Sequence, residues 1–147
     1  MRAEKGYIMI GEETDGTVTP HDLNLSWAIS KKKKDFIGKR ALERSFLNSP
    51  NRKKLVGLKS VNSDKHLPQG AVILGKKNNN SKNKVVGFIT SSYYSPTLKR
   101  NIAMGLLEND FKNPKKRIEV KVEKNISLEI QVVDYMLFDP RGEKLNG

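Results

Sequence analysis

The chain has 147 residues, 36% hydrophobic and 30% charged, which suits one soluble globular core with an appendage. The absence of cysteine excludes disulfides, thiolate metal sites and a cysteine nucleophile. No run approaches the ~18 apolar residues of a membrane-spanning helix, and Met1-Arg2-Ala3 leads into no signal-peptide core, so a cytoplasmic protein with no membrane partner is expected.

The net charge of +12 admits a polyanionic partner. The basic residues, however, are mostly Lys, in runs at 31–34 and 76–77 beside Asn78-Asn79-Asn80. Nucleic-acid sites favour Arg interleaved with aromatics. A compositional drift toward Lys and Asn is therefore preferred over a nucleic-acid partner.

Arg2-Ala3-Glu4-Lys5-Gly6 suits the last turn of a helix, with Gly6 as its stop. Five residues do not nucleate a helix, so the chain is expected to open in mid-domain. Residues 12–24 form a turn-rich loop punctuated by Asp15-Gly16 and Pro20. Residues 25–30, with Trp27 and Ile29 on one phase, read as a strand. The four lysines at 31–34 then make a solvated turn. Residues 38–48 read as a short helix, with Ala41, Leu42, Ser45 and Phe46 at helical spacing. Pro50 and its polar neighbours mark a linker at 49–53, separating residues 1–48 from residues 54–147.

Strands dominate beyond the linker. Residues 54–60 and 71–74 are separated by a turn at Pro68-Gln69-Gly70, and a polar loop spans 76–84. Residues 85–90 and 102–107 are strand-like runs joined by a turn around Ser95-Pro96-Thr97. Gly87 and Gly105 interrupt them, which marks a bulge or a close backbone approach. After a turn at 109–116 with Pro114, residues 117–123 alternate as a half-buried antiparallel strand. Residues 128–135 alternate again, and 138–147 read as a polar tail. The fold class is mainly β: a small antiparallel barrel or sandwich of about six strands, with an N-terminal α+β appendage.

Few residues offer chemistry by themselves. His21 and His66 lie far apart and have no Cys, His or carboxylate cluster at ligand spacing, so no metal site is expected. The glycines form neither G-x-G-x-x-G nor a P-loop. Tyr93-Tyr94 beside Lys99-Arg100 is the best aromatic-plus-basic constellation. It can stack a pteridine or a base, or simply cap the barrel end, and the latter is preferred.

The run Gly87-x-Ile89-Thr90-Ser91-x-x-x-Ser95-Pro96-Thr97-Leu98-Lys99-x-Asn101-Ile102-Ala103-Met104-Gly105 resembles the C-terminal barrel of the aminomethyltransferase family. That family includes the glycine-cleavage T-protein and the folate-dependent sarcosine and dimethylglycine oxidases. The resemblance continues through Arg2-Ala3-Glu4-Lys5-Gly6, Pro20 to Trp27, and Phe36-Ile37-Gly38-Lys39-Arg40-Ala41-Leu42. It covers nearly the whole chain and matches the end of a much longer protein. Within the family the chain is most similar to the α subunit of heterotetrameric sarcosine oxidase. Ile10, where T-proteins often carry an aromatic, favours that branch.

The resemblance implies a six-stranded Greek-key-like barrel (54–147) behind the remnant of a truncated folate-binding domain (1–48). It implies tetrahydrofolate as the parent's cofactor, with flavin and NAD sites outside this chain. Other subunits or upstream domains of the parent would be partners. By position in the family's R-x-E motif, Arg2 and Glu4 are folate-site candidates, and a guanidinium suits the glutamyl carboxylates of folate. Arg141 is a third candidate, from the tail. As an alternative, Arg2 and Glu4 are surface charges at a helix end, and with Met1 in place of the family's upstream chain nothing is expected to hold Arg2. No catalytic residue is expected in the chain, and the isolated chain should not turn over. An apolar face is expected to stay uncovered around Tyr7, Ile8 and Ile10. A T-protein or dimethylglycine-oxidase-type fragment is an alternative, and so is a non-catalytic basic RNA-binding barrel.

Overall fold

The computed structural model describes residues 2–61, 65–76, 82–113, 118–123 and 126–145. Among them the strands are β1 (Lys53–Ser60), β2 (Val72–Gly75), β3 (Lys84–Ser95), β4 (Arg100–Glu108), β5 (Ile118–Glu123) and β6 (Ile126–Val133). They close into a barrel in the order β1-β4-β3-β2-β5-β6, with every pairing antiparallel. β2, β3 and β4 run as neighbours while β1 lies beside β4, the Greek-key connection that the resemblance implies. Closure leaves no sheet edge unpaired. The expected loop at 76–84 and turn at 109–116 lie partly outside the described residues, as do Pro114, Arg117 and the end of the tail.

The barrel interior holds Val56, Leu58, Ile73, Val86, Ile89, Ala103, Leu107, Ile118, Val120 and Ile130, plugged by Leu67 and Phe111. A second core lies outside the barrel wall. There Leu55, Ile102, Met104 and Leu106 meet Ala3 and Leu23 of the N-terminal segment, with Ile8, Val18, Leu25, Phe88, Tyr135 and Leu137 packed around them. β4 thus buries both faces: Ala103 and Leu107 point in, while Ile102, Met104 and Leu106 point out. This explains why it reads as a continuous apolar run rather than an alternating one. The two strand glycines are places of close approach. A Cβ at Gly87 would collide with the Leu106 carbonyl oxygen, and one at Gly105 would lie 2.7 Å from that of Phe88.

The structure differs from the sequence reading in five places. β3 runs on through the polar Ser91–Tyr94 stretch to Ser95, because β4 pairs with it as far as Arg100. A register shift between Ile89 and Ser91 places a bulge at Thr90. Residues 25–30 are not a strand: Ser26–Ala28 is a 3₁₀ turn, and none of the described strands pairs with it. The expected β part of the appendage is reduced to a single bridge, Ile10 to Thr14. The expected helix over 38–48 shortens to α1 (Lys39–Leu42), which buries no residue. Residues 138–145 are no free tail, because Phe138 N–H donates to the Glu4 carbonyl (2.9 Å) and Lys5 pairs with Asp139 (2.5 Å).

Candidate functional site

The N-terminal segment docks where β3 bulges. Ala3–Lys5 form a single 3₁₀ turn that ends at Gly6, whose φ is +69°. The turn throws the Arg2 side chain across the wall of the barrel. One terminal nitrogen of Arg2 donates to the Tyr7 carbonyl (2.8 Å) and to Glu13 (3.0 Å). The other faces the Tyr93 hydroxyl (2.9 Å), Ser91 Oγ (3.0 Å) and Glu12 (3.3 Å). The guanidinium also lies over the Tyr93 ring, 5.3 Å from its centroid. Burial works against the charge, but the Tyr93 hydroxyl and the Glu13 carboxylate outweigh it and raise the Arg2 pKa. The expectation that nothing holds Arg2 is therefore corrected: five groups hold it.

Glu13 is the hub of this cluster. Its side chain is fully buried. It accepts from Arg2, from the Met9 N–H (2.8 Å), from the Thr90 hydroxyl (2.8 Å) and from Ser91. Successive strand residues normally face opposite sides of a sheet, but the bulge at Thr90 turns Thr90 and Ser91 onto one carboxylate.

Glu4 is buried and accepts a hydrogen bond from the Ser95 hydroxyl. That bond outweighs burial and holds its carboxyl below the ordinary glutamate range. It is not a surface charge. Arg2 and Glu4 share a cleft of about 340 Å³ with Ala3, Met9, Tyr93, Tyr94, Ser95 and Ile102. The cleft pairs apolar and aromatic walls with one guanidinium, the kind of surface that holds a flat ring bearing an anionic group. Arg141 lies apart from it, exposed, with Glu143 at 3.5 Å. The structure thus brings Arg2 and Glu4 together and leaves Arg141 outside.

Tyr93 and Tyr94 line the cleft, while Arg100 turns into a neighbouring hollow with Lys59, Leu98 and Asp134; Ile102 forms the shared wall. The tyrosines and Arg100 therefore line different surfaces. His21 meets Ser26 at 2.8 Å and His66 faces Ser92 at 3.4 Å. Among the described residues no group of three His, Asp or Glu side chains could hold a metal ion, and no helix is long and apolar enough to cross a membrane.

A third buried carboxylate fastens the same segment at the start of β1. Asp22 is buried and accepts from Arg52 (2.6 and 2.9 Å), Thr19 (2.9 Å) and Lys54 (3.3 Å). Burial raises its pKa, but Arg52, Thr19 and Lys54 outweigh that and bring it to about 2. Sequence reasoning missed Glu13, Ser91 and Asp22 as anchors. The contacts that tie them to the rest of the fold, Asp22 to Arg52 and Glu13 to Ser91, span 30 and 78 positions, beyond any local pattern.

Residues 53–139, which span the six strands of the barrel, match the glycine cleavage T-protein C-terminal barrel domain. The chain belongs to that family. As a T-protein-type barrel, it is 36% identical over 149 residues to the sarcosine oxidase subunit alpha of Corynebacterium sp. (strain U-96), covering 100% of this chain and 15% of that protein. It is 34% identical over 113 residues to the aminomethyltransferase of Thermosipho melanesiensis, covering 77% of this chain and 29% of that one. The crystal structure of glycine cleavage system aminomethyltransferase T from Bartonella henselae superposes with a TM-score of 0.78 at 25% identity, over 95% of this chain and 37% of that chain. These relatives are named as enzymes. The T-protein-type barrel and its N-terminal segment span only a minor part of their length.

Proposed function

We propose that the chain is the C-terminal part of a folate-dependent sarcosine oxidase α subunit. Similarity to that subunit along the whole chain carries this reading. In the parent, sarcosine would be oxidised at a flavin held outside this chain, and the resulting one-carbon unit would pass to tetrahydrofolate, leaving glycine. Residues 1–48 would be the end of the folate-binding domain, 49–53 a linker and 54–147 the closing barrel. Partners would be the other subunits or upstream domains, with NAD also bound elsewhere, in the cytoplasm.

This chain's share is binding, not turnover. Arg2, held at the mouth of the cleft by Glu13 and Tyr93, would pair with a glutamyl carboxylate of folate. Tyr93 and Tyr94 would flank the ring system. Glu4, fixed by Ser95, shapes the floor, while Arg141, outside the lining of the cleft, is given no contact with the ligand. The similarity to glycine-cleavage aminomethyltransferase T supports a second reading, in which the parent is a T-protein or a dimethylglycine-oxidase-type enzyme using the same cleft.

Calorimetric titration of tetrahydrofolate into the purified chain, at low and moderate salt, tests the binding role. Saturable binding is expected, weakened about tenfold or more in Arg2→Ala. Arg2→Lys should also weaken it, because Lys keeps the charge but loses the fork. Unchanged affinity in both variants would remove Arg2 from the site, and no binding would mean that this chain retains no folate pocket. Sarcosine oxidation by the chain alone, with flavin added, would overturn the assignment of turnover elsewhere.

A further inference from the structure

We propose that the adjacent residues Glu12 and Glu13 play opposite roles at the Arg2 cleft. Glu13 is a permanent positioning residue. Glu12 is an internal carboxylate that occupies the place of a ligand's carboxylate and withdraws when one arrives. The identity of that ligand as a folate rests on the function proposed above; the mechanism itself needs only a carboxylate.

The argument is a count of protons. The Arg2 nitrogen facing Glu12 has two N–H donors but three acceptors in reach: the Tyr93 hydroxyl at 2.9 Å, Ser91 Oγ at 3.0 Å and Glu12 at 3.3 Å. Glu12 has the longest contact. Its other partner is the Ser91 hydroxyl at 2.8 Å. That hydroxyl carries one proton and has a second carboxylate, Glu13, closer still. Both hydrogen bonds of Glu12 are therefore oversubscribed. Those of Glu13 come from four separate groups: the Met9 N–H and the Thr90 hydroxyl donate to it, and the Arg2 nitrogen that reaches it has two N–H donors for two acceptors, Glu13 and the Tyr7 carbonyl, so only the Ser91 proton is contested.

Burial separates the two residues in the same way. The Glu13 side chain is fully enclosed, whereas that of Glu12 is 25% exposed on the turn between Met9 and Thr14. Releasing Glu12 returns a carboxylate to water. Releasing Glu13 would strand a charge inside the protein. An incoming carboxylate thus gains the Arg2 contact by exchange with Glu12, without undoing the anchor. A ring system without a carboxylate has nothing to exchange, so Glu12 also acts as a filter for anionic ligands.

Arginine side-chain NMR on the full chain tests this, with glutarate as a plain carboxylate probe, tetrahydrofolate as the folate, and 6-methyltetrahydropterin as a ring without carboxylate. In the ligand-free chain, Glu13→Gln should speed rotation of the Arg2 guanidinium about tenfold, whereas Glu12→Gln should leave it nearly unchanged. Glu13→Asp should restore part of the restraint. Glutarate should shift the Arg2 signals at about threefold lower concentration in Glu12→Gln than in the unmodified chain. The pterin should bind both equally. Equal loosening of Arg2 in the two glutamine variants, or a glutarate response that Glu12→Gln weakens or leaves unchanged, overturns the proposal. Should glutarate behave as expected while tetrahydrofolate fails to bind, only the folate reading falls. Glu12→Gln alters a partly exposed residue and keeps the test decisive even if Glu13→Gln does not fold.

Discussion

Residues 2–24 and residues 25–48 lie side by side in sequence and neither contains a strand, yet they relate to the barrel in opposite ways. The first stretch buries Ala3, Glu4, Glu13, Thr19, Asp22 and Leu23. The second contains no fully buried residue, though Leu25 packs against the second core, and it leaves Trp27, Ile37 and Phe46 at 78%, 104% and 75% exposure. It is not short of apolar residues. It lacks the three buried carboxylates that fasten its neighbour, each aimed at a donor on the barrel or at its entrance: Glu4 at Ser95, Glu13 at Thr90 and Ser91, Asp22 at Arg52 and Lys54. A small apolar contact becomes a fixed docking when satisfied polar groups set its geometry. Without them, Trp27 and Phe46 of the second stretch stay exposed.

Removal of an anchor should have the largest effect. Asp22→Ala leaves Arg52 and Lys54 without their carboxylate, and a loss of about 3–5 kcal/mol is expected in urea denaturation. A loss no larger than that of a surface substitution would show that the charges do not fasten the segment. Met104→Ala, on the outer face of β4 where it is fully buried beneath residues 2–24, should cost about 3 kcal/mol. Acid should act through the same carboxylates. The folded pKa of Asp22, about 2, lies below its ordinary value of 3.8, so its stabilising contribution is complete above pH ~4 and is lost as the pH falls through about 2. Glu4 is shifted in the same direction. About 1–2 kcal/mol from Asp22 should disappear over that window, with solvent screening allowed for. In Asp22→Asn this part of the pH dependence should be missing, and an unchanged acid profile would locate the titration elsewhere. The smallest effect belongs to the second stretch: Trp27→Ser and Ile37→Ser should each change stability by less than about 0.5 kcal/mol. Calorimetric melting that shows either to be as damaging as Met104→Ala would erase the distinction between the two stretches.

The barrel was legible in the sequence because its signals are local. Residues 54–60, 102–107 and 117–123 carry period-two or continuous apolar runs bounded by turn residues, and each overlaps an observed strand. Gly87 and Gly105 announced close backbone approaches that the structure contains. Where local pattern and tertiary partner disagreed, the partner decided. Ser91–Tyr94 is polar but extends as a strand because β4 pairs with it, and residues 25–30 alternate but form no strand, none of the described strands pairing with them. The site divides along the same line. Arg2 and Glu4 stand out through a short motif, whereas the hydroxyls that hold Glu13 lie 77 and 78 positions from it. Of the expected uncovered face, Tyr7 and Ile10 are exposed at 61% and 90%, but Ile8 packs into the second core.

The two-sided burial of β4 has a consequence for how the barrel finds its alignment. In an ordinary half-buried strand a one-residue slip turns the apolar side outward, and the error is rejected by solvent. From Ile102 to Leu107 both sides of β4 are apolar or glycine, so greasiness cannot tell the right threading from its neighbour. Shape must do it instead. A slip would bring Met104 or Leu106 to the place of Gly105, where even a first side-chain carbon would lie 2.7 Å from the Phe88 carbonyl. The glycine works as a notch in a key, admitting one alignment of an otherwise uniform blade.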